Sequence, residues 1–168
     1  SRQASSPGHL PFPHSTGLTG GCLPEASLGP AIVPYFEDLD LTSSGDGIYT
    51  SISGSAPNRI YKIEWRGQRN GTTNRVHFEV RLYEGQRRFD IVYGAVPNGG
   101  VGATIGVQRD TGSAYTQWSC NTASVSAGMQ QFYILPNSPP SATVHYPTST
   151  TPTAPPHPAP PTPHTTTP

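Results

Sequence analysis

The stretch VHFEVRLYE, residues 76–84, alternates strictly. Val76, Phe78, Val80 and Leu82 fall on one face, and His77, Glu79, Arg81 and Tyr83 on the other. A period of two is the mark of an antiparallel strand with one face in a core and one in water. A helix would scatter the same apolar positions around its circumference and bury none of them together. RIYKIEW (59–65) repeats the pattern with Tyr61, Ile63 and Trp65 on one side, and FDIVY (89–93) repeats it with Phe89, Ile91 and Tyr93 inward.

Shorter runs of the same texture are AIVPYF (31–36), IYTSI (48–52), VGATIGVQ (101–108), AYTQWS (114–119) and MQQFYIL (129–135). Pro34 inside the first of these suits an edge or a bulge, because proline cannot donate to a ladder. Turn signals separate the runs: SSGDG (43–47), SGSAPN (53–58), GQRR (85–88) and PNGG (97–100). Eight short strands at this spacing, with no amphipathic helical stretch, predict an all-β fold over residues 31–136. It is an antiparallel β-sandwich of jelly-roll-like type.

The flanks read differently. Residues 1–30 hold Pro7, Pro11, Pro13, Pro24 and Pro30 among many Gly and Ser, which predicts an irregular segment. A short extended stretch near His9 to Phe12 can supply a strand, either to this chain or as a donor to another. Residues 137–168 form a Pro/Thr-rich tail. Positions 139–168 contain eleven Pro and nine Thr, a balance that favours extended polyproline II over a packed core. At roughly 3.1 Å per residue such a segment would reach about 90 Å.

Composition removes several function classes. Net charge is zero and only 12% of residues are charged, so there is no basic stripe for nucleic acid. Arg66, Arg69, Arg75, Arg81, Arg87 and Arg88 are scattered among Glu64, Glu79, Glu84 and Asp90, which reads as a mixed-charge strand surface. No run of eighteen apolar residues is present, so no helix is expected to span a membrane. No signal peptide stands at Ser1. For nucleophilic catalysis a Ser or Cys must meet a His and a carboxylate. GxSxG is absent, and His9, His14, His145, His157 and His164 lie in irregular or Pro-rich sequence. No enzymatic activity is expected.

The two cysteines, Cys22 and Cys120, stand nearly a hundred residues apart and fit no metal-ligand spacing. They are either a disulfide or two buried thiols. The glycosylation signals described below favour the disulfide and an oxidising compartment. Such a bridge would contribute roughly 4–5 kcal/mol in the chain-entropy model.

Four segments read in order carry a family likeness: VPYFEDLD, GIYTSISGSAPNRIYKIEWR, FEVRLYEGQRRFDIVYG and ATIGVQRDTGSAYTQWSCN. Over roughly residues 8–135 the chain resembles a β-sandwich module of secreted bacterial multidomain proteins. That module is similar in turn to the nidogen-like extracellular domain of animal matrix proteins. The most specific pieces are the APNR-x(4)-EWR strand and the F-x-V-x-LYEG hairpin. The resemblance implies paired cysteines near Cys22 and Cys120, continuation into Pro/Thr-rich sequence, and an extracellular, non-enzymatic, structural or adhesive role. It implies no catalytic residue. Further strands are expected in relatives before the segment matching SSPGHLPF (5–12). If they belong to the fold, this chain exposes an edge that invites a strand from another chain; otherwise residues 1–16 replace them.

Some residues are candidates for binding or attachment. Asp38, Asp40 and Asp46 in EDLDLTSSGDG place oxygens that could converge on calcium, although the glycine is misplaced for an EF-hand and no Glu closes the loop. Capping of turn backbone is the competing use. No other cofactor is expected. Tyr83 and Trp118, with Tyr49 and Tyr115, could form a sugar-stacking face or simply pack. Asn70-Gly71-Thr72 is an N-glycosylation sequon in a turn. Thr148, Thr150, Thr151, Thr153, Thr162, Thr165, Thr166 and Thr167 are O-glycosylation candidates, since Ser/Thr-rich segments with Pro are typical glycan stalks.

The reading that gathers these features is a glycosylated structural subunit of an extracellular or cell-surface assembly. It self-associates into a homopolymer or filament, with strand complementation from residues 1–16 or 141–147 as its sharpest form. The alternative is a carbohydrate-binding or adhesive module tethered by a Pro/Thr linker to a secreted protein.

Overall fold

A computed structural model describes residues 10–11, 21–26, 28–110 and 114–134, the first pair by backbone alone. The Pro/Thr tail with its candidate threonines, the donor segment 141–147 and most of residues 1–20 lie outside the described residues.

Ten strands follow one another: β1 (Leu10–Pro11), β2 (Ala31–Phe36), β3 (Leu39–Asp40), β4 (Gly47–Ser53), β5 (Ile60–Arg69), β6 (Arg75–Tyr83), β7 (Arg88–Ala95), β8 (Thr104–Gln108), β9 (Tyr115–Cys120) and β10 (Gln130–Ile134). All pairings are antiparallel, in a four-stranded sheet ordered β1-β2-β8-β9 and a six-stranded one ordered β10-β7-β6-β5-β3. β4 also pairs with β5, beside β3 on the same edge. The eight expected strands are all present, β1 falls in the expected extended stretch, and the two-residue β3 is additional.

Register turns alternation into a core. Ile48, Trp65, Phe78 and Tyr93 stand opposite one another across four strands. Thr50, Ile63, Val80, Ile91 and Gln131 make a second row, and Ile52, Tyr61, Leu82, Phe89 and Tyr133 a third. Trp65 stacks on Phe78 with centroids 5.0 Å apart, and Tyr35 of β2 reaches Phe78 from the facing sheet at 5.6 Å. Each fully buried side chain of this kind contributes about 1.5–3 kcal/mol of transfer free energy.

β2 is buried along its whole length because both faces are covered. Its register against β8 shifts between Val33 and Phe36, so Pro34 sits in a bulge, one of the two placements its missing N–H allows. The shift directs Ile32 and Tyr35 into the main core. Ala31, Val33 and Phe36 join a second cluster with Leu23 and Leu28. Residues 22–26 and 28–30 thus lie over the outer face of the smaller sheet. Buried Gln108 holds them, its Oε1 accepting from Glu25 N at 2.7 Å and its Nε2 donating to the carbonyls of Glu25 and Gly29. Gln117 Oε1 accepts from Leu23 N at 2.8 Å. The Cys22–Cys120 disulfide, with Cα atoms 5.4 Å apart, ties this cover to the end of β9. At Gly106 a side chain cannot enter, since a Cβ would sit 2.1 Å from the Thr116 carbonyl oxygen.

Candidate functional site

The solvent face of the larger sheet is charged but internally balanced. β5, β6 and β7 each carry an acid and an arginine two residues apart on that face: Glu64 with Arg66, Glu79 with Arg81, and Asp90 with Arg88. His77 Nε2 lies 2.5 Å from Glu64 Oε1, and Tyr83 donates to Asp90 at 2.6 Å. The Arg66 guanidinium, with His77 beside it, holds the Glu64 carboxyl below its usual value against the opposing effect of burial. Glu64 and Glu79 face each other directly across β5 and β6. Each is clamped by its own arginine on an open sheet face rather than in a cleft.

In the acidic loop each carboxylate has its own hydrogen-bonding or ion-pair partner. Asp38 Oδ2 accepts from Asn70 Nδ2 at 2.6 Å, Asp40 Oδ1 accepts from the backbone and hydroxyl of Thr42, and Asp46 pairs with Arg75. Among the described residues no three His, Cys, Asp or Glu side chains gather as metal ligands. Asp38, Asp40 and Asp46 are thus engaged in turn capping and ion pairing, the competing use of these carboxylates.

The aromatic candidates are likewise dispersed. Trp118 belongs to the smaller sheet and packs against the main core, with Nε1 donating to the Ser124 carbonyl at 3.4 Å. Tyr83 belongs to the larger sheet, its ring under the Arg88 guanidinium at 5.1 Å. The two share no face, so no stacking platform joins them. Asn70 and Thr72 stand exposed in the β5–β6 turn, where Gly71 takes φ +71°.

One polar cluster escaped the sequence reading. Glu37, 7% exposed, pairs with Arg69. Burial pushes its carboxyl up, against the pull of that guanidinium. Beside it, burial and then the Glu37 charge raise the Tyr35 hydroxyl well above the usual tyrosine range. Neither the Tyr35 hydroxyl nor Glu37 Oε2 has a hydrogen-bond partner at ordinary distance. The cluster links the end of β2 to the end of β5, with the Arg69 side chain reaching solvent. Nothing in the local sequence marks it, because Arg69 arrives from a different strand.

The surface that stands apart is β4. Tyr61, on the same face of β5 as buried Ile63 and Trp65, is 38% exposed, and Ile52 opposite it is 62% exposed. The smaller sheet does not cover this corner. Ile52, Tyr61 and Leu82 line an open depression of about 520 Å³ rimmed by the Arg59–Glu84 ion pair. β4 itself, GIYTSIS, contains no charged residue and no proline, and pairs with β5 over seven residues without a register shift. Among the described residues no strand pairs with its other edge. Natural edge strands are normally protected by charge, proline or a bulge, and β4 has none of these.

Fold and surface together define a disulfide-pinned, all-β module with an uncharged edge strand that has no partner on its outer edge among the described residues. A family model described as NIDO related matches residues 1–149, and the chain belongs to that nidogen-related family. Searches of curated proteins and of solved structures return no match. The family suggests an extracellular-type module. The intramolecular disulfide accords with that setting, and no helix of the described residues is long and apolar enough to cross a membrane.

Proposed function

We propose that the chain is a non-enzymatic structural module of an extracellular assembly, and that it associates with other chains through a sheet edge. The observation that carries this reading is β4: a regular seven-residue strand, uncharged, with Tyr49, Thr50, Ser51 and Ile52 all exposed. An edge of this kind templates pairing with another chain. The charged solvent face, by contrast, is internally neutralised and offers no substrate a focused field. Glycans on Asn70, in its exposed turn, and on the tail threonines accord with an extracellular role and would keep the remaining surface hydrated.

Sedimentation velocity and negative-stain electron microscopy of the purified chain at rising concentration test the reading. Concentration-dependent dimers or larger regular assemblies are expected. A chain that stays monomeric up to millimolar concentration overturns it.

A further inference from the structure

We infer that β4 pairs antiparallel with β4 of a second copy of this chain, about a two-fold axis at Thr50. The inference rests on the association reading above and specifies its surface, occupant and register.

The first ground is self-complementarity. With Thr50 facing Thr50 of the second copy, Ile48 faces Ile52, Tyr49 faces Ser51, and Gly47 faces Ser53. An isologous contact requires the same patch to fit itself after a two-fold rotation. The sequence GIYTSIS does so, with apolar against apolar on one face and large against small on the other. A register slipped by one residue would set Ile48 against Ser51 or Ser53 instead of Ile52 and lose the match.

Continuity of the apolar surface is the second. Ile48 and Ile52 lie on the core-facing side of the larger sheet, next to Trp65 and Tyr61 respectively. Pairing therefore extends one apolar row from Trp65 and Ile48 of one copy to Ile52 and Tyr61 of the other. It gives the exposed Ile52 and the Ile52–Tyr61–Leu82 depression an apolar neighbour. On the opposite face Tyr49, its ring under the Arg66 guanidinium at 4.7 Å, meets only the small Ser51.

Charge is the third. Like charges placed directly opposite across a ladder are destabilising, and β4 brings none. Asp46, the acid adjoining the strand, is already held by Arg75 and would lie opposite Gly54 of the second copy. The other exposed edges fit less well. The β8–β9 register is broken at Ile105–Gly106, and β10 is two residues shorter than β4. Because a two-fold contact closes on itself, this edge makes dimers, and any longer polymer uses a second surface.

Cross-linking and a charge insertion in the full chain test the inference. Thr50→Cys is expected to give an oxidised dimer linked through residue 50. Ser51→Cys alone is expected to give none, and an equimolar mixture of Ser51→Cys and Tyr49→Cys to give one. Thr50→Lys is expected to weaken association by roughly tenfold, while Thr73→Lys, an exposed turn substitution, leaves it unchanged. Circular dichroism and retention of the Cys22–Cys120 bridge establish that each variant is folded. If the unaltered chain associates but Thr50→Cys does not link and Thr50→Lys has no effect, the β4 inference fails and the broader reading stands. If the unaltered chain never associates, both fail.

Discussion

The Tyr93 hydroxyl donates to the Pro34 carbonyl oxygen at 2.9 Å, joining β7 to β2 through the middle of the sandwich. It also lies 3.3 Å from Gln131 Oε1, and Tyr93 is 1% exposed. Pro34 lies in the bulge of β2, where its carbonyl turns toward the larger sheet. Tyr93→Phe keeps the ring and deletes the bond, leaving a buried carbonyl without its donor. The expected cost is about 1–3 kcal/mol. Urea unfolding should show a lower midpoint with an unchanged slope.

The disulfide constrains a loop that spans 98 positions. The double variant Cys22→Ala, Cys120→Ala should lose roughly 4–5 kcal/mol in the chain-entropy model. Its effect should be concentrated on the cover formed by Leu23 and Leu28, seen as faster hydrogen exchange across residues 22–30 than across β5 and β6.

Asp90 gives the fold an acid-sensitive element. Burial alone would raise its carboxyl, yet hydrogen bonds from Arg88, Tyr83 and Gln130 hold it below the ordinary aspartate value. The unfolded chain therefore takes up this proton first. The stabilisation is present above about pH 4 and is lost as pH falls through the lower folded value. Glu37 acts with the opposite sign, since its raised carboxyl is protonated more readily in the folded state. Asp90→Asn should be less stable than the parent at pH 7 by about 1–3 kcal/mol. Its stability should fall less steeply than the parent's as pH drops below about 4, read from denaturant midpoints across the acid range.

Asn70 is exposed, and its Nδ2 donates to Asp38 Oδ2 at 2.6 Å. That nitrogen carries two hydrogens, so a glycan can replace one while the other keeps the bond. Expressed through a secretory pathway that performs N-glycosylation, the chain should gain one glycan by intact mass. Asn70→Gln and Thr72→Ala should each lack it. The change in stability for Asn70→Gln should stay within about 0.5 kcal/mol, as for an ordinary surface position.

Sequence alone determined the all-β character, the eight main strands and their two faces. Period-two alternation is local, and a strand carries it wherever the strand is placed. It also brought forward the pairing of Cys22 with Cys120 through the family likeness. Only the tertiary structure decided which part of each face is covered. Tyr61 and Ile63 share a side of β5, yet one is 38% exposed and the other 3%, because the smaller sheet stops short of the β4 corner. The same limit applied to Asp38 and Asp46, whose partners Asn70 and Arg75 come from well beyond the acidic loop, whereas Asp40 caps Thr42 two residues on, a local turn contact. An alternating segment states which residues face one way. What stands opposite them is set by how two sheets meet, and that is a property of the packed whole.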